Sequence, residues 1–248
     1  MRRFLVFLVC FFSCLFLFQG IKAQNYLTDS AFYSQSVNNA VLFYVNSLGK
    51  NTHLFNGSEY IFNSHGITGH PFFGADQPVK GNIFYDGTLY PNVSIAYDLS
   101  RDEVFINNNP GQDFNLKLIT ERVRYFSILN HVFVRINQDD NLKGYSPATG
   151  FYDLSYNNGK ITVLAKRKKQ IEQAFKAEDS LKFIQYNEYL VKKNNAYYPV
   201  DSKGSLIDVF RDQKDKVKKY FRKSDLNFKK DPENAIVKTA EYYAQLKD

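Results

Sequence analysis

The chain has 248 residues, 44% hydrophobic and 17% aromatic, with 32 Lys and Arg against 25 Asp and Glu. Its two cysteines, Cys10 and Cys14, both fall in the first 23 residues, so the remainder can form no disulfide, thiol nucleophile, iron–sulfur cluster or cysteine zinc site. The remaining 225 residues are enough to bury a core without covalent staples.

Residues 1–23 read as a secretory signal peptide. Arg2 and Arg3 form a basic start, Phe4 to Phe18 an apolar run, and Ala23 offers a small residue before Gln24. The run is shorter than the roughly 20 residues a membrane-spanning helix needs. The expected destination is therefore export: periplasmic, outer-membrane-associated or extracellular. Residues 24–159 carry 8 basic and 12 acidic side chains, and residues 160–248 carry 21 and 13. An acidic front and a basic back suit an anionic partner. For an exported chain that means an envelope protein, anionic lipid or glycan rather than nucleic acid.

Asp29 to Asn46 has a rough helical stripe in Phe32, Val37, Ala40, Val41, Tyr44 and Val45, which predicts an N-terminal helix. From about residue 58 to 200 the pattern is that of strands. Asn82–Tyr85 and Thr88–Tyr90 flank Asp86-Gly87, a strong hairpin signal because a type I′ turn needs positive φ at both central residues. Val93, Ile95, Tyr97 and Leu99 alternate with polar or small residues and predict a half-buried strand. Glu103–Ile106, Leu116–Ser127 and His131–Ile136 predict three more. Hairpins follow around Asn157-Asn158-Gly159 and Lys193-Asn194-Asn195, with a short basic helix expected between them over Lys166–Phe175.

The C-terminus is predicted helical. Leu206, Phe210, Val217, Tyr220 and Phe221 stripe a charged segment that Ser202 or Ser205 can cap. A last helix starts at Asp231-Pro232-Glu233: cap, proline at the first position, and an acid in the first turn. The predicted fold class is α+β. An antiparallel β-meander, a curved sheet or partly open barrel, is flanked by an N-terminal helix and C-terminal amphipathic helices. The rhythm of sequential hairpins excludes a doubly wound fold. Residues 24–159 and 160–248 are read as one structural domain, the second part completing the sheet.

Leu54-Phe55-Asn56-Gly57-Ser58-Glu59-Tyr60, Gly69-His70-Pro71-Phe72-Phe73, and Gly81 with Tyr85-Asp86-Gly87, Tyr90 and Tyr97-Asp98 resemble a family of uncharacterised secreted proteins of Bacteroidota. Leu164-Ala165-Lys166-Arg167-Lys168-Lys169 and Tyr197-Tyr198-Pro199-Val200 extend the resemblance over most of the chain. It implies an exported protein and carries no activity.

Asn63 to Gln77 is the stretch where chemistry could reside. It holds His65, His70, Phe72, Phe73 and Asp76. The two histidines converge only if Gly66 to Gly69 loops back. A zinc site would draw a third ligand from residues such as Asp76 or Asp86. The plainer reading is a turn, with Phe72 and Phe73 as anchors on the core. These residues and Asp86 are the binding candidates, with His65, His70 and Asp76 as a weak metal alternative. No cofactor is expected. Asp86 and Asp98 are the carboxylate pair that neighbouring strands would offer. His131 is expected on a solvated or partly covered strand face, shared with Phe133 and Arg135. No G-x-S-x-G, H-E-x-x-H or phosphate-binding glycine motif occurs. The expected function is a non-catalytic binding or structural component of the envelope. A hydrolase using the His65/His70 loop is the first rival, and electrostatic attachment through the basic C-terminal part the second.

Overall fold

A computed structural model describes residues 53–62, 65–107, 115–139, 144–173 and 181–246. The signal segment, the helix expected over Asp29 to Asn46 and most of the polar loop after Asn107 lie outside them. The strands are β1 (Ser58–Tyr60), β2 (Ile67–Thr68), β3 (Val79–Tyr85), β4 (Thr88–Asp98), β5 (Glu103–Asn107) and β6 (Asn115–Lys117). They continue as β7 (Val123–Ile128), β8 (His131–Ile136), β9 (Gly150–Asn157), β10 (Ile161–Gln173), β11 (Leu181–Lys193) and β12 (Ala196–Val200). Three α-helices follow: α1 (Lys203–Val209), α2 (Lys214–Lys223) and α3 (Pro232–Gln245). The fold is α+β. All 12 strands join one unclosed, mostly antiparallel sheet in the order β1-β6-β5-β4-β3-β7-β8-β9-β10-β11-β12, with β2 parallel to β11.

Tight turns set this order. Asp86 and Gly87 have φ of 49° and 80°, and Asn194 and Asn195 have 50° and 60°. Both pairs adopt the left-handed backbone that lets two strands fold back at once. Leu129 and Asn130 do the same between β7 and β8 at 50° and 64°.

Three strand expectations are corrected. The segments at Thr88 and Val93 belong to one strand, β4. Pro91 and Asn92, the latter at φ 58°, interrupt its pairing with β3 as a bulge. The run Leu116–Ser127 is two strands, split by a 3-10 turn at Thr120–Arg122. That turn carries the chain from β5's edge to β3's. The expected basic helix from Lys166 is strand to Gln173, because β10 pairs with β11 over thirteen consecutive residue pairs. Its charges alternate between the two faces of a sheet, not around a helix.

Directly paired residues share a sheet face, so register reveals the core. Tyr90, Ile83, Phe126, Phe133, Asp153, Ala165, Tyr189 and Val200 form one row across eight strands. Every member is buried. At one end the row enters an aromatic core with Tyr85, Tyr97 and Phe151. At the other it enters a core closed by Leu206, Phe210, Val217, Phe221, Ile236 and Ala240 of the helical segment. His131 shares its face with Phe133, as parity predicts, and is partly covered there, its side chain 40% exposed while Phe133 is fully buried. Val132, on the opposite face, is exposed.

The sheet curls until its β4–β5 turn meets β9 and β10, four and five strands from β4. Lys169 N donates to Leu99 O at 3.3 Å. Tyr97 packs edge-on against Phe126, Phe133 and Phe151, with ring centroids 5.0–5.8 Å apart. The helices back the rest of the same face. Ser202 caps α1 in a reciprocal box with Ser205, and Asp231 caps α3 ahead of Pro232. The single C-terminal stripe proves to be two helices, broken by a 3-10 turn at Arg211–Gln213.

Candidate functional site

The stretch around His65 and His70 is a strap that bridges the curl. Ile67 and Thr68 pair with Leu181 and Lys182 of β11. The chain then crosses to the end of β4, where Phe72 forms an antiparallel bridge with Asp98. Leu99 N donates to Pro71 O at 3.0 Å, and Phe73 N to Tyr97 O at 2.9 Å. Lys169 Nζ holds the strap from β10, donating to His70 O at 2.9 Å and Phe72 O at 2.7 Å. The two phenylalanines go opposite ways. Phe72 meets Tyr60, Phe62 and Phe105 outside the curl. Phe73 stands edge-on to His131 and Phe133, both at 4.9 Å, at the aromatic core.

His65 and Asp76 are exposed. His70 is half-buried and its Nδ1 has no hydrogen-bond partner. Burial, then the Lys169 charge, lower its pKa, while Asp76 acts in the opposite sense. Among the described residues no three His, Cys, Asp or Glu side chains are grouped to hold a metal ion. Asp86 lies in the hairpin turn and pairs with Arg122 at 3.5 Å. Asp98 ends the strand that Asp86 precedes, so the length of β4, about 30 Å, separates the two carboxylates. They form no catalytic pair.

Three carboxylates that were not among the expected site residues, Asp153, Glu233 and Asp102, organise the polar interior. Asp153 is the one charged member of the buried row. It accepts from Arg167 Nε at 3.0 Å and lies 2.7 Å from His131 Nδ1. Arg167 reaches on to Glu233, 2.7 Å from each carboxylate oxygen, and Ser155 donates to the same group at 2.7 Å. Thus β8, β9, β10 and α3 meet in one chain of charges between the two cores. Burial works to raise the Glu233 pKa. The bonds from Arg167 and Ser155, with the Arg167 charge, outweigh it and hold the carboxyl below its usual value. Arg167 is disfavoured by burial, yet bonds to Glu233 and Asp153 push its pKa up.

Asp102, in the β4–β5 turn, accepts from Lys166 Nζ at 2.7 Å, from the Tyr97 hydroxyl, and from Phe151 N at 3.3 Å. Burial lowers the Lys166 pKa against the pull of Asp102. Gly150 makes room for this contact, since a Cβ there would sit 2.2 Å from the Asp102 carboxylate. Asp98, fully buried, accepts from Tyr60 Oη at 2.7 Å and from Ser100 N and Oγ at 2.8 and 2.7 Å. Burial and the Asp98 contact both raise the Tyr60 pKa.

Asp153 alone left a trace in the sequence, as a charge at an apolar parity position of β9. Lys166 and Arg167 were obscured by reading their segment as a helix, and Glu233 by its place in the first turn of α3.

An open cleft of about 540 Å³ lies beside this network, lined by Tyr145, Tyr189, Phe228 and Pro232 with Glu188 and Lys229 on its polar side. Comparison of the chain with protein-family models, with curated proteins and with solved structures finds no match.

Proposed function

We propose that this chain is an exported envelope protein, acting as a non-catalytic binding or structural component. One observation carries the reading: the buried charges of Asp98, Asp153, Lys166 and Arg167 are bonded to partners that close the fold. Asp102 ties the β4–β5 turn to β9 and β10, Asp98 ties β4 to β1, and Arg167 ties Asp153 to α3. The strap supports the same view, because Pro71, Phe72 and Phe73 give their backbone or rings to closure of the sheet. On this reading the antiparallel meander bends into a partly open barrel whose rigid outer surface does the binding. The basic start, apolar run and Ala23-Gln24 junction support export. No helix among the described residues is long and apolar enough to cross a membrane.

The test is turnover. Incubation of the purified protein with panels of ester, glycoside and peptide substrates should give rates at the uncatalysed background. Turnover that is lost in His65→Ala or His70→Ala would replace this reading with a hydrolase built on the strap.

A further inference from the structure

Helix α2 carries Lys214, Lys216, Lys218, Lys219, Arg222 and Lys223 against a single acid, Asp215. Its apolar face is already used, with Val217 and Phe221 buried in the helix-backed core. With about 100° between successive residues, the side opposite Val217 and Phe221 presents Lys216, Lys219, Arg222 and Lys223, with Asp215 as the one acid among them. Lys229 and Lys230 add two exposed charges in the loop before α3.

Elsewhere many of the lysines are neutralised. Lys117 pairs with Glu103 at 3.0 Å, Lys166 with Asp102 at 2.7 Å, Lys168 with Glu188 at 2.6 Å and Lys193 with Asp212 at 2.5 Å. On α2 Lys214 faces Asp208 at 3.5 Å. Among the described residues, no carboxylate stands within ion-pair distance of Lys216, Lys218, Lys219, Arg222 or Lys223. Lys218–Arg222 and Lys219–Lys223 are like charges at i,i+4, a spacing that destabilises a helix. An external layer of anions relieves that repulsion.

We propose that the outer face of α2, with Lys229 and Lys230, docks the protein on a bilayer surface bearing anionic lipid headgroups. This rests on the binding reading above and names the partner. The cations from Arg222 to Lys216 fan over an arc of roughly 120° on a convex helix. A flat array of anions reaches them together, whereas a single linear polyanion follows one row. Because Val217 and Phe221 are buried and the half-buried Tyr220 is stacked on Tyr242 of α3, no apolar side chain of α2 is free to enter the acyl region, and attachment is electrostatic.

The test is co-sedimentation of the protein, purified after export, with phosphatidylcholine vesicles with and without phosphatidylglycerol. Binding should require phosphatidylglycerol and fall as sodium chloride rises. Each cation removed should weaken it about fivefold, so the triple variant Lys216→Gln, Lys219→Gln, Lys223→Gln should lose about a hundredfold. The double variant Lys160→Gln, Lys182→Gln, at exposed positions in the β9–β10 turn and on β11, should bind as the wild type does. Equal binding to neutral vesicles, or undiminished binding by the triple variant with its circular dichroism intact, overturns the proposal. So does capture by soluble dextran sulfate without binding to anionic vesicles, which would assign the surface to a polysaccharide. Any of these failures leaves the binding reading standing, since that reading falls to turnover.

Discussion

Tyr90, Ile83, Phe126 and Phe133 lie in one row of the sheet with Ala165, Tyr189 and Val200, yet the two ends of that row are filled differently. Where the sheet curls upon itself, large rings meet across the gap: Tyr85, Tyr97, Phe126, Phe133 and Phe151 are all fully buried. Where helices lie on the sheet, smaller side chains take a larger share, with Val163, Ala165, Val191, Ala235 and Ala240 beside the rings of Phe210 and Phe221. A sheet bent over itself must be filled by side chains from its own strands, while a helix can settle closer. The seam between the two regions is Asp153 with Arg167, where the row carries a buried charge pair instead of an apolar side chain.

The sharpest way to break this comparison is to cut the seam. Asp153→Ala leaves Arg167 buried with one partner fewer and should cost up to about 5 kcal/mol, a fall of about 10 °C or more in Tm. The triple variant Asp153→Leu, Arg167→Met, Glu233→Gln should recover much of that loss in a denaturant titration, because it removes the buried cation along with both of its carboxylate partners. Within the cores, Phe126→Ala should cost about 4 kcal/mol, while Ile236→Val on the helical side should cost about 1 kcal/mol, both read by urea unfolding. Equal losses on the two sides would contradict the picture of a ring-filled curl.

The seam also titrates. The Glu233 pKa is held below its ordinary value near 4.5, so the unfolded chain takes up the proton more readily than the folded one. Its contribution is therefore complete above that value and is lost as pH falls through the lower, folded pKa. Glu233→Gln should cost about 2 kcal/mol at neutral pH, and the gap to wild type should narrow through the acid range. A gap that stays constant down to acid unfolding would detach Glu233 from the seam. Smallest is the cap of α3: Asp231→Ala should lower stability by about 1 kcal/mol and leave the curl's near-ultraviolet signal unchanged.

Hairpins marked by Asp86-Gly87, Asn157–Gly159 and Asn194-Asn195 were legible because those residues tolerate positive φ. The α3 start was legible for the same kind of local reason, a cap and a proline in sequence. The turn at Leu129-Asn130 gave a weak signal, as leucine is rarely placed there. Lys166 to Gln173 was misread because alternating partners on two sheet faces, Asp102 on one side and Asp153 on the other, cannot be seen without the strands that bring them. The same holds for the seam: Asp153, Arg167 and Glu233 are distant in the chain, and nothing local announces that they meet. The strap was visible as turns and ring anchors, but its role across the curl depends on Lys169, about a hundred residues onward.

The bond from Lys169 N to Leu99 O joins positions 70 residues apart, and the Lys166–Asp102 pair spans 64. The hairpins on either side close loops of only a few residues. Loop-closure entropy grows with the span, so the hairpins can zip early while the curl waits for contacts of high sequence separation. Until it closes, Phe126, Phe133 and Phe151 stand on an open sheet face. Refolding at high protein concentration should therefore set curl closure in direct competition with aggregation.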